Sequence, residues 1–205
     1  SNNKFSLLAA LRGASQVISY ELAMGIALIS LLMMTGSLSM KTIVEQQITD
    51  KYHLWNVVYQ PLAFLIFFVC SMAECNRAPF DLPEAESELN MGFHQEYSSM
   101  KLGFYLFSEY INMFISSAVM ATLFFGGYDM PFVNEAALSP NVAALVGIVA
   151  LMGKIFFFIF VFMWIRWTLP RFRYDQLMNL GWKGLIPLAL ANMVITGAVI
   201  LWLNK

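Results

Sequence analysis

Residues 141–165 read Asn141-Val142-Ala143-Ala144-Leu145-Val146-Gly147-Ile148-Val149-Ala150-Leu151-Met152-Gly153-Lys154-Ile155-Phe156-Phe157-Phe158-Ile159-Phe160-Val161-Phe162-Met163-Trp164-Ile165. Lys154 alone breaks the apolar run. A helix this apolar on every side has no polar face to turn to water, and about 20 such residues suffice to cross a bilayer core roughly 30 Å thick. Four more runs repeat the pattern, at 7–34, 54–73, 102–125 and 184–203. The expected architecture is therefore all-α: one domain over residues 1–205, a polytopic membrane helix bundle with five spans. Composition agrees, because the 205 residues are 59% hydrophobic and only 12% charged, against about a quarter charged in soluble domains.

The connecting segments differ in character. Segment 35–53 opens with Thr35-Gly36-Ser37, and 126–140 opens with Gly126-Gly127 and holds Pro131 and Pro140, so both read as loops. Pro61 is expected to kink the second span. The net charge of −1 gives no pull toward nucleic acid, and none is expected as a partner. Cys70 and Cys75 fit no zinc or redox spacing and read as packing residues; no metal site is expected. His53 reads as an interface residue and His94 as a loop hydrogen bonder. No signal peptide is visible after the opening Ser1-Asn2-Asn3-Lys4, and the start is expected to be a cut through a longer protein.

Basic residues set the expected orientation. Lys4, Arg12, Arg77, Lys101, Arg166, Arg171, Arg173 and Lys183 fall on one side, against Lys41, Lys51 and Lys205 on the other. Segments 74–101 and 166–183 are thus expected to face the cytoplasm or mitochondrial matrix. Four ionisable residues lie within or at the ends of spans: Glu21, Glu74, Glu109 and Lys154. Charge at membrane depth is costly, so such groups face a bundle interior or water and commonly move protons or ions. The bland reading is structural pairing. Asn112 and Ser116 share a helix face with Glu109.

The segment Glu74-Cys75-Asn76-Arg77-Ala78-Pro79-Phe80-Asp81-Leu82-Pro83-Glu84-Ala85-Glu86-Ser87-Glu88-Leu89 concentrates acids on the otherwise basic side. Asp81 can cap a short helix from Pro83, with Glu84 in its first turn. Glu84 and Glu88 then share a face and repel unless compensated. On chemistry alone this is either a solvated loop for a basic partner or a coupled set of titrating carboxylates.

This stretch, with Gly92 and Glu96-Tyr97-Ser98-Ser99-Met100-Lys101, with Ser19-Tyr20-Glu21 and with Pro170-Arg171-Phe172-Arg173-Tyr174-Asp175-Gln176-Leu177-Met178, closely resembles one membrane-subunit family of respiratory complex I, the NADH:quinone oxidoreductase. That family comprises the H-type subunits of bacteria and their subunit 1 counterparts in animals. Cys75 stands where it is expected to have Thr. The resemblance implies eight membrane helices, of which the five spans here would be the fourth to eighth. It implies a channel for a quinone substrate lined by the loop of Arg77, Asp81, Glu84, Glu86 and Glu88. Proton coupling would run through Glu21, Glu74, Glu96 and Glu109, and Arg171, Arg173 and Asp175 would form a docking surface for the peripheral arm. Lys154 joins the proton-coupling set from its position alone. No cofactor is expected on this chain. The resemblance places FMN and iron–sulfur clusters in partner subunits, with other complex I membrane subunits and the lipid bilayer as further partners, and implies a bacterial inner membrane. Three competing readings are the homologous membrane subunit of an energy-converting hydrogenase, a stand-alone ion transporter and a purely structural anchor.

Overall fold

A computed structural model describes residues 4–49, 54–76, 79–81, 97–130 and 139–203. Every regular element among them is helical. Helix α1, Lys4–Thr35, stops at Gly36, whose φ of 66° and backbone bond to the Leu32 carbonyl form a left-handed cap. Helix α2, Met40–Thr49, occupies a segment expected to be a loop. It is helical because Ile43, Val44 and Gln47 form a buried stripe beneath otherwise exposed polar residues, and Gln46 ties it to the Thr35 carbonyl.

The second expected span is broken rather than kinked. Helix α3, Asn56–Tyr59, ends at Gln60 (φ −132°, ψ 65°), and α4, Pro61–Glu74, begins there. Pro61 sits in the first turn of α4, where its missing N–H leaves no bond unmade. Helix α5, Ser99–Phe124, and α6, Pro140–Thr168, follow. Pro170 forces Leu169 to extended backbone and ends α6. The last crossing starts earlier than residue 184: α7, Tyr174–Asn179, passes through a π-helical turn, Leu180–Leu185, into α8, Ile186–Leu203.

Four stretches, Lys4–Thr35, Ser99–Phe124, Asn141–Thr168 and Tyr174–Leu203, are long and apolar enough to cross a membrane, and Pro61–Glu74 is a shorter apolar helix. The expected class and five runs are therefore present. At 1.5 Å per residue α4 rises only about 21 Å, short of a bilayer core roughly 30 Å thick.

Helix α1 is the hub, packed against both α4 and α8, while α5 packs on α6 and α4. Ala9, Ala23, Ala27, Ala63 and Ala189 are fully buried, and their small side chains let helix backbones approach closely. Between α4, α5 and α6 the contact is aromatic: Phe64 meets Phe124, Phe125 and Phe158, and Phe68 stacks on Phe162 at 5.3 Å. Phe156, Phe157, Phe160, Trp164 and Trp167 point outward from α6, a surface suited to lipid or another membrane chain.

Candidate functional site

The end of the bundle where α4 finishes is assembled around Gln16. This residue is fully buried, and its Nε2 donates to the Ala73 carbonyl (3.1 Å) and the Phe80 carbonyl (3.0 Å). One amide thus fixes both the end of α4 and the start of the acidic segment against α1. Phe80 is buried between Tyr20 and Phe172, with ring centroids 5.5 and 5.7 Å away.

The loop between α6 and α7 closes on the same place. The Phe172 N–H donates to the Pro79 carbonyl at 3.2 Å, and Arg171 Nη2 donates to Asp81 Oδ2 at 2.7 Å. Tyr174 Oη shares a 3.0 Å hydrogen bond with Ser15 Oγ, and Tyr20 Oη donates to the Leu177 carbonyl at 3.1 Å. Two segments ninety residues apart in sequence are therefore clamped together. The Arg171 side chain is 37% exposed and that of Asp81 16% exposed, so solvent screens the pair. A double-mutant cycle on Arg171→Ala and Asp81→Ala is expected to give a coupling energy of about 1 kcal/mol or less in thermal unfolding. A value of several kcal/mol would mean the pair is far drier than described. Arg173 and Asp175 are exposed beside the clamp and available to another chain.

The acids do not share one environment. Glu74 is half-buried, and its carboxylate lies within electrostatic reach of Glu21. Glu21 itself is exposed on the surface of the described bundle, next to buried Tyr20 and Ser19. Glu109 is buried, at 6% exposure, on the α5 face that continues through Ser116, Ser117 and Met120. It lines a small pocket with Met72, Cys75, Met113, Phe162 and Arg166. In the sequence Arg166 counts only toward the charge bias; its position in the last turn of α6 brings it to the same pocket. Arg77, Glu84, Glu86, Glu88 and Glu96, and the helix expected from Pro83, lie outside the described residues.

Lys154 is not brought to these acids. It sits beside the end of α5, about 24 Å along that helix from Glu109. Its ammonium donates to the carbonyls of Phe125 (2.7 Å), Gly127 (2.9 Å) and Asp129 (2.6 Å) and lies 5.0 Å from the Trp55 ring centroid. Asp129 is buried and accepts a 3.4 Å bond from Trp55 Nε1. The turn they hold needs glycine. Gly126 and Gly127 have φ of 71° and 57°, and a Cβ on Gly127 would lie 3.0 Å from Val44 Cγ2. Gly127→Val is expected to cost about 2 kcal/mol or more, read as a lowered Tm. An unchanged Tm would show that the turn relaxes freely.

The residues that sequence reading missed, Gln16, Trp55, Gln60, Asp129 and Asn192, are uncharged or sit in a turn. Their only signal was a polar side chain inside or beside an apolar run.

Residues 1–197 match a family model described as NADH dehydrogenase. The chain belongs to the NADH dehydrogenase family. It is similar to an H-type subunit, numbered 1, of the NADH-quinone oxidoreductase of Cytophaga hutchinsonii, 64% identical over 98% of this chain and 58% of that protein. It is also similar to the corresponding H-type subunit of the NADH-quinone oxidoreductase of Flavobacterium johnsoniae, at 62% over 98% of this chain and 57% of the relative. A third relative, "NADH-quinone oxidoreductase subunit 8" of Rhodothermus marinus, is 50% identical over 95% of this chain and 59% of its own length. The chain thus spans a little under three fifths of the curated relatives it matches. These relatives agree with the resemblance drawn from the acidic segment, and together with the long apolar helices they make this family member a membrane protein.

Proposed function

We propose that the chain is the portion of an NADH-quinone oxidoreductase membrane subunit that borders the quinone channel and passes the consequence of quinone reduction into the membrane through carboxylates. The observation that carries this reading is the clamp at one end of the bundle. Arg171 binds Asp81, Phe172 binds Pro79, and Gln16 ties the same place to the end of α4, where Glu74 lies within electrostatic reach of Glu21. Glu109 then continues the acid series into a buried pocket.

Quinone reduction takes up two electrons and two protons. Among the described residues no His, Cys, Asp and Glu cluster could hold a metal ion. In this reading the electrons arrive from partner subunits that carry FMN and iron–sulfur clusters. The chain's own residues shape the channel and respond to charge. Arg77, Asp81, Glu84, Glu86 and Glu88 form its loop, and Glu74, Glu96, Glu109 and Glu21 carry protons onward. Arg171, Arg173 and Asp175 meet the peripheral arm, with Arg171 also fixing the loop. Lys154 enters as a positive charge held on the turn after α5. The clamped end faces the cytoplasm of a bacterial inner membrane.

The test is photo-crosslinking with a quinone analogue in the intact complex. Label is expected within residues 74–96 or 169–174, and excess quinone should suppress it. Label confined to the opposite end of the bundle would refute the channel assignment.

A further inference from the structure

The last carbonyls of a helix have no partner within it. At the end of α4 the Cys75 N–H donates to the Ser71 carbonyl (3.2 Å), and the Asn76 N–H reaches the Ala73 carbonyl at 3.3 Å. The Ala73 carbonyl accepts a second, shorter bond from Gln16 Nε2 on α1 (3.1 Å). The same nitrogen gives its other hydrogen to the carbonyl of Phe80 (3.0 Å), which lies in irregular backbone. Ala73 immediately precedes Glu74, and Phe80 immediately precedes Asp81. Each of these carbonyls belongs to the planar peptide group that carries the N–H of the acid after it. One amide therefore holds the backbone of both acids. Because both hydrogens sit on one nitrogen, the two peptide groups cannot separate without breaking a bond.

The orientation of this amide is fixed. Gln16 is fully buried, and turned over its oxygen would face two carbonyls. As it stands, Gln16 Oε1 is buried with no hydrogen-bond partner among the described residues. The gain from two neutral hydrogen bonds and the cost of one orphaned buried acceptor are of similar size, so the amide adds little net stability. An apolar side chain of the same length would avoid that cost. What the amide supplies, and an apolar side chain lacks, is direction. Its surroundings reinforce the hold. Ser19 Oγ donates to the Gln16 carbonyl (2.8 Å), the Tyr20 ring packs on Phe80, and Arg171 binds Asp81 from the opposite segment.

We propose that Gln16 is a positioning residue whose carboxamide sets the spacing between Asp81, the acid clamped by Arg171, and Glu74, the acid that ends α4. The start of the acidic segment and the end of α4 then move as one body. On the channel reading above, this spacing lets a charge change at the loop be felt at Glu74. That last step rests on the channel reading; the positioning does not.

The test uses the full-length subunit in its assembled complex. Gln16→Met keeps the length and volume of the side chain and removes both donors together with the orphaned oxygen. The melting temperature of the complex should therefore shift by no more than a few degrees. Amide hydrogen exchange is read at two places. Peptides covering Phe172, whose N–H donates to the Pro79 carbonyl, should exchange about tenfold or more faster once Phe80 is no longer tied to α1. Peptides covering residues 126–129, at the remote turn, should be unchanged. Proton uptake per electron in proteoliposomes should fall about tenfold, since a misplacement of about 1 Å can cost a hundredfold. Electron transfer from NADH to a soluble artificial acceptor should be unchanged. Unaltered exchange at Phe172 overturns the proposal. So does an equal rise at residues 126–129, which would make Gln16 an ordinary core amide. Faster exchange at Phe172 alone, with normal proton uptake, upholds the positioning and counts against the relay through Glu74. If Gln16→Met fails to assemble, Gln16→Glu decides. Its carboxyl has the same shape but at most one donor in place of two. Exchange at Phe172 should still rise, and an unaltered rate overturns the proposal.

Discussion

Glu109→Gln is expected to leave the complex assembled and most quinone reduction intact, while protons moved per electron fall by about tenfold or more. The substitution is nearly isosteric, so the packing of residue 109 among Met72, Met113 and Phe162 persists. It removes only the ability to gain and lose a proton. General acid–base groups contribute about 10²–10⁴-fold where they act directly, so a relay member at this position should show a large loss. The measurement is proton uptake by proteoliposomes set against NADH oxidation in the same preparation. Unchanged stoichiometry with intact assembly would favour the structural-anchor reading. A parallel loss of oxidation and assembly would make Glu109 a packing residue.

The second large effect is on folding. Lys154→Met should destabilise the chain by about 2 kcal/mol, because hydrogen bonds to a charged group contribute about 1.5–3 kcal/mol and this ammonium is part-buried. Three carbonyls of the turn after α5 would lose their donor, and the buried Asp129 carboxylate would lose its nearby cation. Lys154→Arg should recover part of this, because a guanidinium keeps the charge but matches three converging carbonyls poorly. Trp55, 5.0 Å from the ammonium, offers a fluorescence readout of the local change. Normal stability in Lys154→Met together with lost pumping would reverse the interpretation and make Lys154 a proton carrier.

The membrane class and the number of apolar runs could be read directly, because lipid demands long runs of apolar residues. The departures have local causes. Helix α2 was hidden because its buried stripe is short and set among Lys41, Glu45 and Gln46. The second span looked continuous because composition ignores backbone breaks; only the geometry at Gln60 reveals that Pro61 starts a helix. At the site, the acidic segment identified a neighbourhood but not its partners. The pairing of Asp81 with Arg171 joins segments ninety residues apart, beyond any local pattern. Glu21 and Lys154 resembled each other as charges inside apolar runs, yet one is exposed beside the clamp and the other is bound by three carbonyls at the remote turn. Position along a run gives depth, and azimuth is what separates such cases.

Azimuth is also what the π-helical turn at Leu180–Leu185 controls. A turn closed by i→i+5 bonds holds one more residue than an α turn, and one residue of α-helix corresponds to about 100° of rotation. Upstream of it Leu177 meets Tyr20 of α1, and Gly181 within it lies against Ser19; downstream Ala189 is fully buried and Asn192 bonds to Ser30 of the same helix. A regular helix over this length would set Ala189 about 120° around the axis from Leu177; with one residue absorbed by the π turn the angle falls to about 20°. The π turn is therefore a phase corrector: it lets one straight crossing stay in register with α1 at both of its chemically distinct ends.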